Sequence, residues 1–75
     1  MLVDVRSPGE FSGGHIEGAI SIPIQELAGR AEELGDTSSP IILYCQSGAR
    51  SAMAKRLLES KGFTDVHNMG SMGSW

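Results

Sequence analysis

The sequence predicts an α/β fold, a small, mostly parallel sheet of about four to five strands with helices on both faces. Three observations carry that expectation. Short β-branched and apolar runs alternate with segments whose apolar residues recur at helical spacing, an order that favours right-handed crossovers and parallel pairing. The run Ile41-Ile42-Leu43-Tyr44 shows no polar alternation, which suits a strand covered on both faces. Finally, the 75 residues are 40% hydrophobic and 20% charged with no low-complexity stretch or internal repeat. That composition supports one domain over residues 1–75, near the size at which a single core barely outweighs chain entropy.

Taken in order, Leu2-Val3-Asp4-Val5 reads as a short buried strand that stops at a turn signal, with Asp4 inside it. In Ser7-Pro8-Gly9-Glu10 the serine can cap, the proline suits the first helical position and Glu10 can reach back to the cap's amide. One short helical turn through Phe11 is therefore expected. Residues 12–18 are loop-like, and Ala19-Ile20-Ser21-Ile22 forms a second strand ended by Pro23. From there the period changes. Ile24, Leu27, Ala28, Ala31 and Leu34 fall at helical spacing, with Gly35 as the C′ residue of an amphipathic helix. A linker from Asp36 to Pro40 leads into the Ile41–Tyr44 strand. Met53, Ala54, Leu57 and Leu58 then mark a second helical stripe, stopped by Gly62 and packed over by Phe63, and Val66 marks a last short strand.

Composition excludes several functions. A formal charge of −3 and a pI near 5.1 provide no basic field for a phosphate backbone, so nucleic acid is not expected as a partner. The single cysteine cannot form an internal disulfide, and two histidines far apart in sequence offer no zinc spacing, so no metal is expected. No apolar run approaches the roughly 20 residues of a membrane span. Met1 to Arg6 also lack the basic-then-apolar order of a signal peptide. The expected location is cytoplasmic with no membrane partner, or periplasmic if a leader precedes residue 1.

The chemistry concentrates in Cys45-Gln46-Ser47-Gly48-Ala49-Arg50-Ser51, where a buried strand ends and a helix begins. Ligand crevices of open α/β sheets lie outside the carboxyl ends of strands. Small residues and Gly48 let the backbone curl, so that successive N–H groups point inward as an anion nest, reinforced by the helix N-terminus. A thiol there is acidified, to about 3.5–7.5 from about 8.5 in known cases, and so becomes a nucleophile. The competing reading of Cys45 is a small buried hydrophobe. Gly48, Arg50 and the strand-to-helix position together argue against it. A cation such as Arg50 at a helix N-terminus opposes the macrodipole and calls for an anion beside it.

Four blocks of this sequence, in order, resemble the rhodanese family, and in particular its short single-domain bacterial sulfurtransferases of the thiosulfate type. Residues 2–11 (LVDVRSPGEF) resemble the first strand and turn. Residues 14–23 (GHIEGAISIP) are similar to the histidine-containing GHIxGAxxIP segment. Residues 45–51 (CQSGARS) match the CxxGxRS active loop, and residues 62–66 (GFTDV) resemble the approach to the strand after the active-site helix.

The resemblance implies a rhodanese-like fold and a double displacement in which Cys45 becomes a persulfide. The amides of Gln46, Ser47, Gly48, Ala49 and Arg50 would cradle the bound sulfur, and Arg50 would help bind a small anionic sulfur donor. Ser51 completes the loop in a supporting role. Asp4 would hold the loop or Arg50, and Arg6 would pair with Glu10 or face the rim. His15 would satisfy a buried backbone carbonyl rather than act as a base. The acceptor would be a thiol or a protein, or cyanide in the test tube, with no cofactor and a monomeric chain. Members more often show a Gly-Gly pair where Ser71 follows Gly70 here, and continue into a further helix, so trimmed ends are expected. Met53, Met69, Met72 and Trp75 read as packing residues and His67 as exposed.

Two competitors remain. A cell-cycle-type phosphatase or an arsenate reductase would also place a thiolate and an arginine around an oxyanion. Those families, however, hold one residue more between the two than the Gln46, Ser47, Gly48 and Ala49 found here. A non-catalytic sulfur-relay or regulatory module of the same fold is the other reading, although such modules often lack the cysteine.

Overall fold

The computed structural model describes residues 1–71. Among them the chain runs through β1 (Leu2–Asp4), α1 (Pro8–Ser12), β2 (Ile20–Ser21), α2 (Ile24–Arg30), a 3-10 turn (Ala31–Leu34), β3 (Ile41–Cys45), α3 (Ala49–Ser60) and β4 (Val66–Ser71). The four strands form one parallel sheet in the order β2-β1-β3-β4. The chain therefore moves outward from β1 to β2, then returns past β1 to β3 and on to β4. With right-handed crossovers, that reversal puts α1 on one face and α2 and α3 on the other. Helices on both faces are thus present, but they cover the faces unequally.

Alternation along β3 sends Ile41, Leu43 and Cys45 to the α2/α3 face. There they join Val3, Val5, Leu27, Leu34, Ala54, Leu58 and Phe63 in one core. The opposite face has only the five-residue α1 and its following loop. Tyr44 is sealed there, its hydroxyl accepting the Ile16 N–H at 3.1 Å, but Ile42 stays 36% exposed. The expected two-sided burial of β3 fails at Ile42 because α1 is too short to reach it.

Local detail also departs from the periodicity. The single helix expected over 24–34 ends at Arg30 and tightens into a 3-10 turn. In that geometry residues three apart eclipse, so Ala31 and Leu34 both enter the core while Ala28 is left exposed. Gly35 closes the turn at φ 88° and ψ −155°, a positive-φ conformation outside the left-handed helical well expected of a C′ glycine. On α3 the core face is Ser51, Ala54 and Leu58, and Met53 is 61% exposed rather than packed. The last strand extends well past Val66, with a bulge between the Asn68 and Gly70 pairings that leaves Met69 unmatched and half-buried. Met72 and Trp75 lie outside the described residues. Among the described residues no helix is long and apolar enough to cross a membrane.

Candidate active site

The strand order places a crevice at the carboxyl ends of β1 and β3. Chain leaving β1 turns to α1 on one face, and chain leaving β3 turns to α3 on the other, which is a topological switch point. Cys45 is the last residue of β3 and has no exposed surface. Gly48, the N-cap of α3, adopts φ 96°, a left-handed conformation that favours glycine, and turns its own N–H back onto the Cys45 Sγ at 2.9 Å. A Cβ at Gly48 would also meet the Gly70 Cα at 3.5 Å, so β4 packs directly against the loop.

Ser51, one turn into α3 and fully buried, brings its Oγ to 3.6 Å from the sulfur. The same oxygen lies 2.6 Å from Asn68 Oδ1, which also accepts the Gly70 N–H at 2.8 Å. Burial pushes the Cys45 thiol up, but the Ser51 N–H and hydroxyl, with the Gly48 and Ser47 N–H groups, outweigh it, so the thiol titrates below its ordinary range. Of the amides expected to line the loop, those of Ser47 and Gly48 bear on the sulfur directly. Gln46 contributes a side chain instead, and Ala49 opens the helix.

The charged residues pair differently from expectation. Arg6 is bound to Asp4 and not to Glu10: its Nε donates to both Asp4 oxygens at 3.0 Å and its Nη2 to Oδ2 at 2.7 Å. Asp4 accepts the Arg6 backbone N–H as well, at 2.8 Å, so it holds Arg6 rather than Arg50. Arg6 then spans the crevice, donating from Nη2 to the Gly14 carbonyl at 2.7 Å and from Nη1 to Gln46 Oε1 at 3.5 Å. The pairing follows from position, since residues 4 and 6 flank the buried end of β1, where a carboxylate needs a local partner.

Glu10 instead takes Arg50. Arg50 Nη1 donates to Oε1 at 2.7 Å and Nη2 to Oε2 at 3.0 Å, a bidentate bridge joining α1 to α3. Glu10 also completes the expected capping box, accepting the Ser7 N–H and hydroxyl on Oε1 at 3.0 Å each. Arg50 first, and then Ser7, hold the Glu10 carboxyl down to about 2. Sequence reasoning gave Glu10 its capping role and a pairing with Arg6, not with Arg50. The demand that Arg50 find an anion was the available signal, but nothing local could say which carboxylate would meet it. His15 satisfies a backbone carbonyl, that of Phe11 at 2.9 Å, but an exposed one, with its ring stacked on Phe11. His67 is exposed beside Asp65. Among the described residues no group of three or more His, Cys, Asp or Glu could hold a metal ion.

Comparison with known proteins places this arrangement. The family model for the rhodanese-like domain matches residues 1–75. The chain is 44% identical over 75 residues to the uncharacterized protein YqhL of Bacillus subtilis, covering 99% of this chain and 59% of that protein. It is 37% identical over 71 residues to thiosulfate sulfurtransferase PspE of Escherichia coli, covering 93% of this chain and 68% of that protein. A solved structure described as a rhodanese with anions from E. coli superimposes with a TM-score of 0.93 at 35% identity, over 99% of this chain and 88% of that one. The expectation of a rhodanese fold therefore holds along the sequence and in three dimensions, and the chain belongs to the rhodanese-like domain family.

Proposed function

We propose that this domain is a sulfurtransferase that moves a sulfane sulfur from thiosulfate or a persulfide donor, through a Cys45 persulfide, to a thiophilic acceptor. The observation that carries the reading is the Gly48 N–H at 2.9 Å from a thiol at the carboxyl end of β3, inside a loop that favours the thiolate. The thiolate attacks the outer sulfur of the donor. The donor's S–S bond breaks, and sulfite, or a thiolate from a persulfide, departs with the electron pair. Cys45 now carries a persulfide whose terminal sulfur lies about 2.05 Å beyond Sγ. A nucleophilic acceptor attacks that terminal sulfur, and Cys45 leaves as the thiolate with its electron pair. The loop donors favour the thiolate, and a thiolate attacks without a general base.

Names of relatives support the same reading, PspE being called a thiosulfate sulfurtransferase. The four-residue spacing from Cys45 to Arg50 speaks against the phosphatase alternative, whose loop is longer. Intact-mass measurement after incubation with thiosulfate, or with a persulfide donor, provides the test. A gain of one sulfur that cyanide removes, absent from Cys45→Ser, is expected. No adduct from either donor would overturn the reading, and turnover of a small aryl phosphate would replace it.

A further inference from the structure

Both arginines at the crevice already own a carboxylate. Arg6 is sealed against Asp4, its guanidinium committed to Asp4, the Gly14 carbonyl and Gln46. Arg50 engages both oxygens of Glu10 through its two terminal nitrogens. Within this cluster the charges of Asp4, Glu10, Arg6 and Arg50 cancel, and a Cys45 thiolate leaves it negative. An incoming dianion therefore finds no net attraction at the rim, and it reaches Arg50 only by displacing the Glu10 carboxylate or sitting against it. Displacement is also resisted from the other side, where the Ser7 backbone N–H holds Glu10 Oε1.

We infer that Glu10 is a specificity-determining residue: by neutralising Arg50 as a bidentate pair, it discriminates against small dianionic sulfur donors such as thiosulfate and favours singly charged persulfides. The inference rests on the sulfurtransferase reading above and adds the class of donor the site prefers. A persulfide with an uncharged chain brings one negative charge at most and presents its sulfane sulfur to Cys45 without needing a free guanidinium. Thiosulfate brings two charges, and its oxygens need the nitrogens that Glu10 holds.

The test compares rates of Cys45 sulfur loading from thiosulfate and from hydroxyethyl persulfide, in wild type and Glu10→Gln. Glutamine retains the capping-box geometry and removes the charge. The ratio of kcat/KM for thiosulfate to that for the persulfide should rise roughly fivefold in Glu10→Gln, the effect expected of one partly exposed charge. The rise should appear in the KM for thiosulfate and shrink at high salt. A ratio that stays level or falls would overturn the inference, since Arg50 would then exchange freely or need Glu10 to be positioned. Ser7→Ala, which weakens the cap but keeps the charge, should leave the ratio within about twofold. An equal rise there would assign the effect to the placement of α1 and overturn the inference too. Loading absent from wild type with either donor would remove the sulfurtransferase reading itself, whereas loading with no change in ratio removes only the role of Glu10.

Discussion

Arg6 and Arg50 stand at the same crevice and both pair with a carboxylate, but the first pair is enclosed by the fold and the second faces solvent. The side chains of Arg6 and Asp4 are 4% and 0% exposed, whereas Arg50 and Glu10 are each 34% exposed. The enclosed pair links residues two apart and is completed by Gly14 and Gln46, so it belongs to the framework. The open pair links residues forty apart on α1 and α3, and water can compete for both partners. Similar hydrogen-bond lengths therefore carry different consequences. Desolvation makes the Asp4–Arg6 pair costly to break from one side, while screening leaves the Glu10–Arg50 bridge a small contributor to stability.

The largest effect separating the two pairs should come from Asp4→Ala, which strands a buried guanidinium. A loss of about 3–5 kcal/mol is expected in urea unfolding, a large share of the stability of a domain this small. Replacing both partners with apolar residues, Asp4→Leu with Arg6→Met, should restore much of it, and a double variant no better than Asp4→Ala would show that the pair is not sealed. Arg50→Met should cost no more than about a fifth of the Asp4→Ala loss in the same assay, and equal losses would erase the distinction between the pairs.

Neither arginine should dominate the reactivity of the thiol. The thiolate ultraviolet absorbance of Cys45 should titrate below the ordinary cysteine range, and Ser51→Ala should move that midpoint up by more than Arg50→Met does. The reverse order would assign the field at the sulfur to the guanidinium instead of the loop donors. The smallest effect concerns acid. Glu10 titrates at about 2 in the folded chain against an ordinary 4.5, so its contribution to stability is complete above 4.5 and is lost as pH falls through 2. Unfolding of wild type and Glu10→Gln should therefore differ at neutral pH and converge near pH 2, with acid effects common to both cancelling. A difference that persists there would mean the bridge does not act through ionised Glu10.

Much of this arrangement was readable beforehand. The strand Leu2–Asp4, the capping box at Ser7 and Glu10, the breaks at Pro23 and Gly35 and the placement of Cys45 at a strand end all follow from signals within a few residues. Sequence and structure part where a residue's role depends on what lies across from it. Ile42 looks buried in an apolar run, but the length of α1 leaves it open, and Met53 fits a helical stripe whose true core face is rotated onto Ser51, Ala54 and Leu58. Asn68, whose Oδ1 lies against the Ser51 hydroxyl, gave no sign of itself because it meets the loop from β4, 17 residues further along the chain.

The amino-acid sequence by itself therefore determined the alternation of strands and helices, the loop from Cys45 to Ser51 and the family, because periodicity, caps and short motifs are local and survive without coordinates. The tertiary structure alone decided the partners of the charges. Which carboxylate meets Arg50 depends on α1 and α3 arriving at the same crevice from opposite faces of the sheet, and that meeting is set by the β2-β1-β3-β4 order across forty residues of chain.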